Sequence, residues 1–336
     1  MKPRLEVTEL GVEVGGQELL TDVNLFVGPG RVVGLVGETG SGKSLTCRAV
    51  LGTLGLIGGS VVRGSVKIDG VEVSTFSHRQ WQQLRGRSVA LVPQSSMSGL
   101  DPLMRVDRQL YETIRSLEKD APVRERAFET IRRLEKDAPV RERAMELLES
   151  VALDRPERVL RLYPHELSGG MRQRVMIALA IAGRPDLLIA DEPTTALDVT
   201  VQKGILELLC GLARDRGMGV LIVTHDLALV EQYADDVSIL YAGVSVESGS
   251  SADVLNRPRH PYTRLLLAAR PQHVPAGGRL PNLTGSPPSP EGWTDGCRFE
   301  ERCPRHIAMC AISRPAVTKT SALHNFSCFS PEEESV

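Results

Sequence analysis

Four short apolar runs, Val32–Val36, Val89–Val92, Leu187–Ala190 and Val220–Val223, punctuate the chain, and stretches of helical periodicity such as Gln202–Arg214 lie between them. Continuous apolar runs of this length suit strands covered on both faces, so the pattern predicts an α/β core with mainly parallel strands. Nearer the start, Ser65–Ile68 and Val71–Val73 alternate apolar and polar residues about Asp69-Gly70. That dipeptide accepts positive φ in a two-residue hairpin, and a small antiparallel sheet is expected there.

Between Leu100 and Leu167 the pattern is helical and charged with no convincing strand, which points to a helical subdomain inserted into the core. It contains a repeat: Leu117–Arg126 and Leu134–Arg143 are the same ten residues, offset by 17. At ~100° per residue the copies fall about 100° out of phase on one helix, so they cannot share a face. Pro122 and Pro139, each two residues after an Asp, suggest two helix starts and a local duplication that lengthens a surface helical hairpin. From Pro271 to Pro290, six prolines and three glycines in 20 residues suit an extended connector.

Composition narrows the class. The chain has 336 residues, with 41% hydrophobic and 24% charged, ordinary for a globular protein of about two domains. Lys plus Arg (40) nearly balance Asp plus Glu (42), so no global field favours nucleic acid. The longest uncharged stretch, Ala49–Val62, has 14 residues and four glycines, short of the ~18–20 apolar residues that span a bilayer. The opening Met-Lys-Pro-Arg-Leu-Glu lacks the apolar core of a signal peptide, so a cytoplasmic chain without disulfides is expected.

Chemistry enters with Gly37-Glu38-Thr39-Gly40-Ser41-Gly42-Lys43-Ser44, which fits G-x-x-x-x-G-K-S and follows the run Val32–Val36. Such glycines let backbone N–H groups curl around phosphate oxygens, Lys43 brings charge to the β and γ phosphates, and Ser44 offers a hydroxyl to Mg2+. ATP or GTP is the expected ligand. Leu187–Glu192 is an apolar strand ending in two carboxylates. There Asp191 is placed to hold Mg2+ and Glu192 to orient and deprotonate an attacking water. A third segment, Leu167-Ser168-Gly169-Gly170-Met171-Arg172-Gln173-Arg174, opens a helix with Ser168 as its cap and glycines at its positive end.

This octet, with the phosphate loop and the strand-end acids, resembles the signature of ABC ATPases, and the resemblance extends over roughly residues 5–270. It implies an α/β P-loop ABC ATPase core with an antiparallel β subdomain and an inserted α-helical subdomain. It also implies that Ser168, Gly169 and Gly170 serve the nucleotide of a partner ATPase domain. Gln94 matches the Q-loop glutamine, which senses Mg2+ and water, counts among the catalytic and Mg2+ residues and links the site to the helical subdomain. Ala196-Leu197-Asp198 matches the D-loop at the dimer seam. His225 matches the switch histidine that contacts the γ-phosphate. One departure concerns adenine: where the family places a stacking aromatic, this chain has Val12-Glu13-Val14-Gly15-Gly16, and none precedes Phe26.

The signature variant, the run Asp191–Thr200 and Arg259-His260-Pro261-Tyr262-Thr263 resemble ATPase subunits of oligopeptide, dipeptide and nickel importers. The resemblance implies peptide import across the cytoplasmic membrane, nickel or another small solute being the alternative within that subfamily. A soluble non-transport ABC ATPase is the rival class. Implied partners are an unlike second ATPase subunit, two transmembrane permeases and, indirectly, an extracytoplasmic binding protein, with no nucleic acid. Residues about Ser95 to Arg105 would receive a coupling helix at the cytoplasmic membrane face. The expected organisation is an ATPase domain over 1–270 with a helical subdomain over about 97–170, a Pro-rich linker over 271–290, and a small Cys-containing C-terminal extension over 291–336. Cys297, Cys303, Cys310 and Cys328 are separated by five, six and 17 residues without a C-x-x-C, so a zinc ribbon is poorly supported. Four converging thiolates suit a [4Fe-4S] cluster or tetrahedral zinc, and the resemblance favours the cluster.

Overall fold

The apolar positions of β1 (Leu5–Val14) step from Leu5 and Val7 to Leu10 and Val12, a break in the two-residue period that one sheet face cannot absorb without a bulge. The bulge is present: pairing with β2 (Gln17–Val27) shifts register between Val7 and Leu10, and Glu9 takes φ 47°. In this computed structural model the described residues are 2–95, 99–118, 133–195, 197–270, 285–320 and 324–333. They fall into two compact units, Met1–Ser77 with Leu221–Val336, and His78–Val220.

In the first unit, β1 and β2 join through Gly15-Gly16, both at positive φ. After β3 (Val32–Val36) and α1 (Lys43–Val50), β4 (Gly59–Ile68) pairs with β1, and β5 (Val71–Glu72) pairs with β4 across Asp69-Gly70. The result is the expected antiparallel sheet, in the order β2-β1-β4-β5.

The second unit begins with α2 (His78–Leu84) and β6 (Val89–Val92) and continues through α3 (Val106–Glu118), α4 (Arg133–Ser150) and α5 (Pro156–Leu160). No strand interrupts Leu100–Leu167 among the described residues. The first repeat copy lies outside them from residue 119 onward. The second does not start a helix at Pro139, as its sequence suggests, because Pro139 lies inside α4. The apolar stripe Val140, Ala144, Leu147 and Leu148 is buried, and burying it favours a helix despite the donor that Pro lacks. Next come α6 (Gly169–Ile181), β7 (Leu187–Asp191) and α7 (Val199–Arg216). β6 and β7 pair in parallel in register, Val89 with Leu187 through Val92 with Ala190.

The chain returns to the first unit along β8 (Gly219–Thr224) and continues through α8 (Leu227–Tyr233), β9 (Asp236–Tyr241), β10 (Val244–Ser250), α9 (Ser251–Asn256) and α10 (Pro261–Ala268). β9 pairs in parallel with β3, and β10 folds back antiparallel on β9 through Ala242-Gly243, at φ 43° and 81°. Residues 271–284 of the Pro-rich segment lie outside the described residues. The cysteine-bearing tail carries α11 (Ala308–Ile312), β11 (Thr318–Lys319) and β12 (Asn325–Phe326), and β12 pairs with β10, Glu247 facing Phe326. The tail is therefore an edge of the first unit's sheet. Its Phe299 is buried in one cluster with Tyr241, Tyr262 and Val246, against which Cys297 and Cys303 pack.

Candidate active site

All five residues of β3 are buried, so this strand is a fixed base for the loop that follows. Gly37 has no room for a side chain, since a Cβ would run into the Leu240 carbonyl oxygen and Ser41 Oγ. Gly42 precedes α1 at φ 105°, with Leu20 where a Cβ would stand. No side chain caps α1, so its first N–H groups and its dipole favour an anion. Lys43 is buried and donates to the carbonyl oxygens of Gly37 at 2.7 Å and Glu38 at 2.9 Å. Its charge thus sits on the loop. Ser44, Thr39 and Gly40 are exposed.

β8, the neighbour of β3 in the sheet, ends at Thr224, and His225 follows it, exposed. Asp226 turns the chain into α8, accepting the Ala228 N–H at 2.8 Å. His225 and the phosphate loop therefore belong to one unit.

Gln94, Ser168–Gly170, Asp191 and Glu192 belong to the other. Asp191 ends β7, and Glu192 begins the turn at φ 43°, a conformation uncommon outside glycine and concentrated at functional sites. Gln94 Nε2 donates to Glu192 Oε2 at 2.7 Å, and Thr195 Oγ1 donates to the same oxygen at 3.0 Å. Within this unit the amide oxygen of Gln94 and the carboxylate of Asp191 are hard oxygen donors of the kind Mg2+ takes, as is the Ser44 hydroxyl within the first unit.

Ser168 caps α6, accepting the Met171 N–H at 3.2 Å, and is exposed. A Cβ on Gly170 would collide with Val201 at 2.6 Å, so that glycine brings α6 and α7 together. Asp198 caps α7 by accepting the Val201 N–H at 3.0 Å, and Ala196 of the same turn is outside the described residues. In the segment Ser95–Arg105, residues 96–98 are also outside them. The rest is braced by Gln109, which donates to the carbonyls of Asp101 at 3.0 Å and Met104 at 2.8 Å, and it presents Leu103, 86% exposed.

The cysteine tail departs from expectation. Among the described residues no three His, Cys, Asp or Glu side chains stand so as to hold a metal ion, so Cys297, Cys303, Cys310 and Cys328 do not form a [4Fe-4S] or zinc ligand set as they stand. The cysteines nevertheless lie in one part of the tail: the Cys297 N–H donates to the Cys310 carbonyl at 2.7 Å, and Cys297 and Cys303 pack against the same hydrophobic cluster. Burial, above all, pushes Cys297 and Cys328 up to about 11. Desolvation thus disfavours the thiolate at Cys297 and Cys328, and ligation needs thiolates.

Two contacts were not legible beforehand. Tyr262 accepts the Glu38 N–H at 3.1 Å, and Arg302 of the tail binds the Glu38 carboxylate at 2.8 Å. With Glu38 and Arg302 264 positions apart in sequence, no local pattern announces the pair.

Residues 20–195 match the ABC transporter family, and residues 246–310 match the oligopeptide/dipeptide transporter C-terminal region. The chain belongs to the ABC transporter ATPases. Among its relatives, it is 37% identical to the oligopeptide transport ATP-binding protein AppD of Bacillus subtilis over 93% of this chain and 90% of that one. It is 39% identical to the probable D,D-dipeptide transport ATP-binding protein DdpD of Escherichia coli, over 99% of this chain and 98% of that one. Its fold resembles the dimeric ATP-binding cassette MJ0796 in a post-hydrolysis state with ADP and Pi, with TM-score 0.59 and 26% identity over 74% of this chain and 98% of that chain. The class is thus an ATPase. Among the described residues, no helix is long and apolar enough to cross a membrane.

Proposed function

We propose that this chain is the ATP-hydrolysing subunit of an importer for dipeptides or oligopeptides, docked at the cytoplasmic face of the membrane. The observation that carries the reading is the match of residues 246–310 to the oligopeptide/dipeptide C-terminal region, in a chain that also carries the complete phosphate loop. In this reading the N–H groups of Gly37–Ser44 and the Lys43 ammonium hold the β and γ phosphates. Ser44, Gln94 and Asp191 hold Mg2+, which when bound offsets phosphate charge. Glu192 orients a water and takes its proton as the oxygen attacks the γ-phosphorus, giving ADP and phosphate. His225 meets the γ-phosphate, and Ser168, Gly169 and Gly170 serve the nucleotide of a second, unlike ATPase subunit. Exposed Leu103, on its braced loop, is offered to one of two transmembrane permeases.

Co-expression with candidate permeases tests this. Co-purification with two polytopic proteins, and ATP hydrolysis stimulated by a peptide-loaded external binding protein in proteoliposomes, is the expected result. Stimulation by nickel alone would reassign the cargo, and stable ribosome association without permeases would reject transport.

The gathering of cysteines in one part of the tail favours a second reading, that Cys297, Cys303, Cys310 and Cys328 close on a [4Fe-4S] cluster when it is supplied. Absorbance near 400 nm with iron in anaerobically purified protein is expected. Colourless protein with stoichiometric zinc would reject the cluster.

A further inference from the structure

Glu38, the first variable residue of the phosphate loop, has each of its polar groups held. Its carboxylate receives a fork from Arg302, Nη1 to Oε2 at 2.8 Å and Nη2 to Oε1 at 3.2 Å. Its N–H donates to Tyr262 Oη at 3.1 Å. Its carbonyl oxygen accepts from Lys43 Nζ at 2.9 Å and from the Ser41 N–H at 3.1 Å. One residue thus joins the tail, the His-Pro-Tyr segment and the phosphate-binding lysine.

The pair is built into the fold. The Arg302 side chain is 7% exposed and Nη1 also donates to Tyr241 Oη at 3.1 Å, while the guanidinium lies 5.6 Å from the Tyr241 ring centre and 6.0 Å from that of Phe299. Tyr241, Tyr262 and Phe299 pack on one another with ring centres 4.6 to 5.4 Å apart. A planar fork at this depth fixes direction as well as charge, which a lysine cannot do. The electrostatic need is equally plain. A carboxylate within an anion-binding loop repels a nucleotide's phosphates, and Arg302 neutralises it.

We infer that Arg302 and Tyr262 are positioning residues for the phosphate loop: acting through Glu38, they hold its backbone in the nucleotide-binding pose and cancel its one negative side chain. The C-terminal region thereby sets nucleotide affinity. The inference rests on the reading of residues 37–44 as the nucleotide site.

The test is binding of trinitrophenyl-ATP and MgATP to the full chain, with steady-state ATPase kinetics and thermal melting, for R302Q, R302K, E38Q, E38Q/R302Q and Y262F. Arg302→Gln leaves the Glu38 charge exposed beside the phosphates and is expected to raise the MgATP Kd and KM about ten-fold, with kcat nearly unchanged. Arg302→Lys keeps charge without the fork and falls between. Glu38→Gln/Arg302→Gln removes the repelling charge and recovers most of the affinity, an outcome that loss of packing alone would not give. Tyr262→Phe loses the acceptor for the Glu38 N–H and weakens binding with the hydrophobic cluster intact. A folded R302Q chain with Kd within two-fold of the parent overturns the inference, as does a double variant no tighter than R302Q. Lys43→Ala separates the two readings: if K43A still binds nucleotide the loop assignment itself fails, whereas loss in K43A with no change in R302Q removes only the role of Arg302.

Discussion

Gln94 Nε2 donates a 2.7 Å hydrogen bond to Glu192 Oε2, joining the residue after β6 to the residue after β7 across 98 positions of sequence. Parallel pairing of β6 and β7 in register puts both strand ends on one edge, and the positive φ of Glu192 turns its carboxylate there. In its proposed role Glu192 must accept a proton, and a positioned general base contributes roughly 10²–10⁴-fold. Glu192→Gln is therefore expected to lower kcat by at least 100-fold with nucleotide affinity retained. Gln94→Ala should cost less, because Thr195 still holds the carboxylate. Steady-state ATPase assays with parallel binding measurements decide it, and an E192Q enzyme keeping a tenth of its kcat would sink the assignment.

The loop's glycines should not tolerate substitution equally. Gly40 has φ 82° with open space at its Cβ position, so Gly40→Ala meets only backbone strain of roughly 1–2 kcal/mol. Gly42 has φ 105° and Leu20 already stands where its Cβ would go, so Gly42→Ala adds a clash to strain at the start of α1. Urea unfolding should rank G42A well below G40A, and only G42A should lose nucleotide binding. Equal stabilities would show that the packing of Leu20 against the loop is unimportant.

What could be read from sequence divides along physical lines. The runs at Val32, Val89, Leu187 and Val220 became strands at those positions because burial on both faces demands an uninterrupted apolar segment, Leu91 alone of these apolar residues being exposed, and Asp69-Gly70 became a turn with positive φ at both residues. β1 was hidden by its bulge, which breaks the alternation that announces a strand. The two-residue strands of the tail carry no periodicity at all, since β12 exists by pairing with β10 and β11 by pairing with β12. The phosphate loop is contiguous and therefore legible. The Arg302–Glu38 pair and the Gln94–Glu192 contact are products of topology, and only the family resemblance anticipated any role for Gln94.

Pro139 lies within α4 and is exposed, so its ring contributes little packing there. A helix interior tolerates Pro poorly, by about 3 kcal/mol relative to Ala, because the i−4 hydrogen bond is lost and the ring crowds that carbonyl. Pro139→Ala is accordingly expected to stabilise the chain by about 1–3 kcal/mol, raising its melting temperature with ATPase activity unchanged. A drop in melting temperature would instead show that Pro139 begins the helix, as the sequence alone suggests.

His260 gives the fold a pH dependence whose sign follows from its surroundings. The ring is 1% exposed, desolvation lowers its pKa to about 3, and Nδ1 accepts the Tyr262 N–H at 3.1 Å, so the folded state holds it neutral. The Glu247 carboxylate lies on its backbone side, accepting the N–H groups of His260 and Arg259 and paired with His324, while Phe299 faces its ring. Unfolded, the imidazole takes a proton below its ordinary value of about 6.5. Between there and about 3 the unfolded chain binds the extra proton. The stability due to neutral His260 is therefore complete above pH ~6.5 and falls by up to about 1.4 kcal/mol per pH unit below it. Asn keeps a cap acceptor and does not titrate, so His260→Asn should flatten the decline between pH 7.5 and 5.5 by about 1 kcal/mol. Urea unfolding of parent and variant at both pH values measures it, and parallel pH profiles would place the dependence on other groups.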